Sequence, residues 1–216
     1  MVTGLISRRS ALIFGSLLAF VGFGLLALGT NLLTMLLAFV GFGFYVVLYG
    51  AAKRRSVYGT LVGSVSGAIP VVVGYCAVTG RFDLGATLLF VILVLWQMPH
   101  FYAIAIYRLD DYASAKIPVL PITSGIRSTK VQILWYIAAF MVATASLSVL
   151  GYTGYIYLAV MTLVGLGWLR LAVQGFRATN DRLWARGLFR FSLIVIIAFS
   201  IMISINAMLP MIVFSG

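Results

Sequence analysis

Apolar residues run through this chain in long, unbroken stretches instead of alternating with polar ones. The runs are about 18–25 residues long, the length a helix needs to cross ~30 Å of hydrocarbon, whereas strands of a membrane barrel would be about half that length and alternate. The pattern predicts seven spanning helices, over 11–28, 32–50, 59–79, 84–107, 131–150, 153–173 and 188–210. The expected fold class is all-α, a polytopic transmembrane helical bundle forming a single membrane domain over 1–216. The first run follows Arg8 and Arg9 as a signal peptide would, but it exceeds the usual ~7–15-residue apolar core and a second run follows at once, so it reads as a retained span.

Composition agrees with a bilayer as the solvent. The 216 residues are 63% hydrophobic and 9% charged, where soluble domains carry about 25% charged residues. Cys76 is the one cysteine and falls in an apolar run, which excludes a disulfide framework or a cysteine metal site within the chain.

The basic residues sort by side. Arg8, Arg9, Lys53, Arg54, Arg55, Arg108, Lys116, Arg127, Lys130, Arg170, Arg177, Arg182, Arg186 and Arg190 fall on alternate connections, 14 of the 15, and only Arg81 lies opposite, beside Asp83. Retained loops keep Lys and Arg, so the expected N-terminus is cytoplasmic and, after seven crossings, the C-terminus is periplasmic. The net charge of +11 then follows from topology and attraction to anionic membrane lipid and calls for no nucleic-acid partner.

One connection is not explained this way. The stretch from Arg108 to Lys130, too polar to span, holds Asp110 and Asp111, half of the four acidic residues, together with Pro118 and Pro121, which favour an extended or turning path. Adjacent carboxylates with nearby Lys and Arg can hold a divalent cation and an anionic diphosphate. On its residues alone the loop reads equally as a solvated surface whose aspartates balance neighbouring charge.

The run feeding this loop, "LWQMPHFYAIAIYRLDDY", places Trp96, His100, Ala103, Tyr107 and Asp111 on one helical face. At helical pitch His100 lies ~10 Å deeper than Tyr107 and ~16 Å from Asp111. His100 is the only histidine, and an ionisable group at membrane depth points to a functional site. Gly59, Gly63 and Gly67 form a small-residue stripe suited to close helix packing. Lys53 to Arg55 can grip phosphate from the second cytoplasmic connection, though basic residues at a span end are expected on topological grounds alone. The last such connection, "RLAVQGFRATNDRLWARGLFR", is amphipathic enough to lie on the membrane surface with Trp184 at interface depth.

The stretches "KRRSVYGTLVGSVSGAIPVVVGYCAVTG", "LWQMPHFYAIAIYRLDDYASAKIPVLP" and "NDRLWARGLF" closely resemble the protohaem IX farnesyltransferase (haem O synthase) branch of the UbiA intramembrane prenyltransferase superfamily. The resemblance implies a helical bundle of nine spans in a bacterial inner membrane that uses Mg2+ and farnesyl diphosphate to alkylate a vinyl group of haem B, giving haem O. Haem A synthase and terminal-oxidase assembly are further partners it suggests. Asp111 matches the family's D-Y-x-x-A-x-I-P pattern, so Asp111 and Asp110 are the expected catalytic and Mg2+-binding residues. Arg54, Arg55 and Lys116 are the expected diphosphate contacts, and His100 and Tyr107 the expected acceptor contacts, His100 as an iron ligand or porphyrin support. The family's first acidic motif lies on the connection between its second and third spans, and this sequence starts just after the corresponding point; two spans are expected to be missing and the chain alone to lack activity. A quinone or chlorin acceptor, or a non-catalytic seven-span role, would fit the residues less closely.

Overall fold

The computed structural model describes residues 7–208, and every regular element among them is helical. In chain order these are α1 (Arg8–Gly29), α2 (Leu32–Arg55), α3 (Gly59–Thr79), α4 (Leu84–Tyr107), the short α5 (Leu109–Ser114) and α6 (Leu120–Thr123), α7 (Gly125–Val149), α8 (Tyr155–Gln174) and α9 (Asp181–Met208). The seven longer helices are long and apolar enough to cross a membrane, as the hydropathy pattern predicts. The expected end of the last span, at 210, lies outside the described residues.

Side chains at the turns set the helix starts. Asn31 Oδ1 accepts from the Thr34 backbone N–H at 2.9 Å, and its Nδ2 donates to the Cys76 carbonyl at 2.9 Å, tying the start of α2 to the end of α3. Asp83 caps α4 through the Ala86 N–H at 3.1 Å. Asn180 Oδ1 accepts from the N–H groups of Arg182 and Leu183, both at 3.1 Å, to open α9. Gly80, at φ 68°, takes the left-handed conformation that ends α3.

Helix α4 occupies the centre of the bundle and packs against α3, α7 and α9; α8 bridges α7 and α9, α2 lies on α3, and among the described residues α1 packs only on α2. The core gathers Ile92, Ile133, Ile137, Phe140, Trp168 and Leu188, with Phe140 and Trp168 edge to face at 5.7 Å. Helix α1 buries none of its residues and meets α2 through Phe23, whose ring lies 5.9 Å from Phe39 and 5.7 Å from Phe42. In lipid such contacts act through close packing, since acyl chains solvate Leu and Phe as well as a protein core does.

Three sequence expectations need correction. The connection from Arg108 to Lys130 is more helical and shorter than expected: α5 and α6 fold within it, Pro121 sits in the first turn of α6 where a missing N–H costs nothing, and α7 begins at Gly125. Lys130 is therefore a buried helical residue, 7% exposed. The last connection forms no separate amphipathic helix. It is built from the end of α8, a 3-10 turn over Gly175–Arg177 and the first turns of α9. Trp184 is packed inside, its Nε1 donating to the Leu171 carbonyl at 2.8 Å. Finally, α4 stops at Tyr107 because Arg108 leaves helical geometry (φ −107°, ψ 29°), so Asp111 sits on a separate helix and does not extend the His100 stripe.

Candidate functional site

A cavity of about 740 Å³ opens between α2, α3 and α4. Phe42, Tyr45 and Tyr49 line it from α2, Gly63, Gly67 and Pro70 from α3, and Gln97, Phe101 and Ala105 from α4. It reaches from Ala38 to Lys53 along α2, fifteen positions and roughly 22 Å at helical rise. One end is closed by the connection after α4, through Tyr112, Ile117, Pro118 and Val119.

Local sequence produces this shape. Within α2 the backbone widens to a π-helix over Phe44–Tyr49, and Tyr45 and Tyr49 stack at 5.4 Å on the cavity side. The Lys53 ammonium lies 5.6 Å from the Tyr49 ring centre. The stripe Gly59, Gly63 and Gly67 packs closely, as its spacing predicts, and also lines the cavity. A Cβ on Gly59 would meet the Lys53 backbone at 2.9 Å, and one on Gly63 the Tyr49 ring at 2.8 Å. A Cβ on Gly67 would run into Gln97 Oε1. Gln97 is held by two bonds, Nε2 donating to the Ser64 and Leu93 carbonyls, each at 3.1 Å.

The acidic residues sit on α5, beside the cavity mouth that Tyr112 covers. Both are exposed and each has a cationic partner: Asp110 pairs with Arg182 of α9, and Asp111 with Arg108 at 3.4 Å. Behind Arg182, Asp181 pairs with the buried Lys130, which also donates to the Gly175 carbonyl at 2.6 Å and lies 5.0 Å from the Trp184 ring. Burial pushes the Tyr112 phenol above its ordinary pKa, against a smaller opposing pull from Lys53.

The expected site residues are thus brought together only in part. Asp110, Asp111 and Lys116 share the connection that roofs the cavity; Lys116 is exposed and holds a positive φ of 53°. Arg54 and Arg55 are exposed at the end of α2 and do not line the cavity; their neighbour Lys53 does. His100 and Tyr107 face α9, His100 Nδ1 lying 2.8 Å from Ser192 Oγ and the Tyr107 ring 5.8 Å from Phe189. Sequence reading passed over Tyr49 and Tyr112, although Phe42, Tyr45, Tyr49 and Lys53 recur at steps of three or four and so mark one face of α2.

Among the described residues no three acidic, histidine or cysteine side chains gather into a metal cage. Asp110 and Asp111 do fit the mode in which Mg2+ is held by one or two carboxylates together with substrate phosphates and water.

A model of the UbiA prenyltransferase family matches residues 1–194. The chain belongs to the UbiA prenyltransferase family. Similar proteins include the protoheme IX farnesyltransferase of Yersinia enterocolitica, 54% identical over 97% of this chain and 71% of the relative. Protoheme IX farnesyltransferase 2 of Pseudomonas paraeruginosa is 57% identical over 95% of this chain and 70% of its own length. A solved structure described as digeranylgeranylglyceryl phosphate synthase in membranes superposes with a TM-score of 0.80 at 15% identity, covering 96% of this chain and 72% of that one. At that identity the likeness establishes the shared helical fold of this UbiA member.

Proposed function

We infer that this UbiA protein transfers the farnesyl group of farnesyl diphosphate to a vinyl group of haem B, giving haem O within the membrane. The observation that carries the reading is the long apolar cavity with a lysine and a pair of aspartates at one end. Its shape suits an isoprenoid chain with a charged head, and relatives 54% and 57% identical bear the name protoheme IX farnesyltransferase.

The farnesyl chain lies along Phe42, Tyr45 and Phe101, where apolar walls accept it. The diphosphate sits at the mouth, where Lys53 stabilises the charge that grows as the allylic carbon–oxygen bond breaks and its electron pair leaves with the diphosphate. Asp111, with Asp110, would hold Mg2+, which supplies further charge neutralisation to the leaving group. The faces of Tyr45 and Tyr49 favour the delocalised farnesyl cation, and the Tyr112 roof keeps bulk water from it. The haem vinyl carbon then forms the new carbon–carbon bond; water adds to the resulting cation and loses a proton, leaving a hydroxyl group.

The side of the membrane follows from charge. Lys53, Arg108, Lys116 and Arg182 all lie at the end of the bundle that carries the mouth, and under the positive-inside rule this supports a cytoplasmic mouth.

The test is to supply membranes containing this protein with labelled farnesyl diphosphate and haem B and to separate the products by chromatography with mass detection. Haem O that requires both substrates and Mg2+ is the expected result. Transfer to an added quinone in preference to haem would overturn the acceptor, and no label transfer to any acceptor would overturn the reading.

A further inference from the structure

The cavity has its polar mouth at Lys53 and ends at Ala38 of α2 and Val73 of α3. Directly beyond, the three helices close around a second apolar cluster, Val72, Cys76 and Ala86, against which Leu37 and Phe90 pack. Ala38 is the chain neighbour of Leu37, and Val73 lies between Val72 and Cys76, so on both helices the cavity wall gives way at once to solid packing.

Two features hold this end shut. The Asn31 side chain ties the start of α2 to the Cys76 carbonyl of α3 at 2.9 Å. Gly41 lets Ile69 reach α2: a Cβ there would lie 2.6 Å from Ile69 Cγ2, so the cavity is already narrow just above its floor. Packing of this kind yields little to an intruding chain, because each extra methylene forces side chains out of their rotamer wells.

From Ala38 to Lys53 the cavity runs roughly 22 Å at helical rise. At ~1.2 Å per bond for an extended chain, farnesyl diphosphate measures ~19 Å from its terminal phosphate oxygen to the last carbon of its main chain. A fourth isoprene unit brings this to ~24 Å, longer than the cavity, and removing one unit leaves ~5 Å more of the apolar floor unfilled.

We propose that this floor is the ruler that selects the prenyl donor: Ala38 and Val73, backed by Leu37, meet the last isoprene unit and admit three units but not four. This rests on the prenyl-transfer function proposed above and assigns its choice of chain length to named residues. A longer chain meets packed side chains and a shorter one forgoes the burial of a unit, so selection acts in both directions.

The experiment measures binding by calorimetry to the purified protein in lipid nanodiscs with Mg2+, with the signal of empty nanodiscs subtracted. The probes are geranyl, farnesyl and geranylgeranyl thiolodiphosphates, whose carbon–sulfur bond resists cleavage. The unaltered protein should bind the farnesyl probe about tenfold or more tightly than either of the others. Ala38→Phe, which raises the floor, should weaken the farnesyl probe about tenfold or more and leave the geranyl probe unchanged. Leu37→Ala, which opens the cluster beneath, should tighten the geranylgeranyl probe about tenfold and leave the geranyl probe unchanged. Leu36→Ala, on the exposed face of α2 and away from the cavity, should keep the unaltered order.

Equal affinity of the unaltered protein for all three probes, or the unaltered ratios kept in either Ala38→Phe or Leu37→Ala, would overturn the ruler and leave prenyl transfer standing. No binding of any probe by the unaltered protein would overturn the prenyl-transfer reading along with it. An Ala38→Phe protein that binds no probe has lost its fold, and Ala38→Val then decides: an unshifted ratio of farnesyl to geranyl affinity overturns the proposal. No acceptor is present, so a different acceptor ring would change none of these outcomes.

Discussion

Arg182, in the first turn of α9, is ion-paired with Asp110 on α5, two residues 72 positions apart in sequence. The pair fastens the roof of the cavity to the last spanning helix. Asp111, by contrast, pairs among the described residues only with Arg108, at 3.4 Å. The two adjacent aspartates therefore differ in how freely they can turn to a cation.

Asp111→Asn keeps size and removes the charge, and haem O formation in membranes should fall by roughly 10²-fold, the scale seen when one transition-state stabilising group is lost. Asp110→Asn should cost less, and Arg182→Gln should match it. Because part of the Asp110 effect passes through its pair with Arg182, the double substitution should cost less than the sum of the two single ones. Fully additive losses would show that the ion pair does not couple the two residues.

Lys53→Met should raise the KM for farnesyl diphosphate by about 10–100-fold, the equivalent of one hydrogen bond from a charged group. Arg54→Gln and Arg55→Gln, whose side chains lie off the cavity, should change it several-fold at most. Initial rates against farnesyl diphosphate concentration, with haem B saturating, distinguish the three.

The run lengths from Leu32 to Thr79 and from Leu84 to Tyr107 were legible because a helix in lipid must satisfy its own backbone, so hydropathy and helix boundaries coincide. The small-residue stripe Gly59, Gly63 and Gly67 was legible for the same reason, as a spacing. Which basic residue enters the cavity was not: Lys53, Arg54 and Arg55 are adjacent, and only the rotation of α2 about its axis, altered by its π-helical stretch, decides which of them faces α3. Nor was the pairing of Asp110 with Arg182 visible, since it depends on α9 beginning at Asp181 and not at 188. An amphipathic segment can lie on a membrane or start a helix within the bundle, and here the buried Lys130, bonded to Asp181 and Gly175, selects the second.

Gly67→Ala and Gly175→Ala should each lower stability by about 1–3 kcal/mol, the usual cost of overpacking. The first would force Gln97 off its paired carbonyls, and the second would meet the Trp184 indole. Gly15→Ala, with nothing within 4 Å of the added carbon, serves as the control. Thermal denaturation in detergent should show lower melting temperatures for the first two only.

The Ala86 backbone N–H, with help from Tyr75 and Arg81, holds the Asp83 carboxyl below the ordinary carboxylate range. A depressed folded-state pKa contributes stability above the unfolded value of about 3.9, and the contribution is lost as pH falls below it. Melting temperatures of the detergent-solubilised protein should therefore fall more steeply below about pH 4 than those of Asp83→Asn. Parallel curves for the two proteins would show that this cap is not linked to acid stability.

With Cys76 replaced by Ser, a cysteine at Ser124 should be shielded from an impermeant thiol reagent in intact cells, and one at Thr79 should react. Both native residues are exposed, at opposite ends of the bundle, so access depends on which side of the membrane each occupies. Labelling of the Ser124 site from outside would reverse the orientation.

The wide turn over Phe44–Tyr49 joins two ordinary helical stretches of α2. A residue added to an ordinary stretch of α2 would swing everything beyond it by ~100°, whereas the wide turn takes up one extra residue with little net rotation and so keeps Lys53 on the cavity side together with Ala38 and Gly41. The greasy floor and the cationic rim of the chamber thus stay aligned along one rod. The turn is the one stretch of α2 where a change of length by one residue can be absorbed without parting the surface that receives the hydrocarbon tail from the group that meets the diphosphate head.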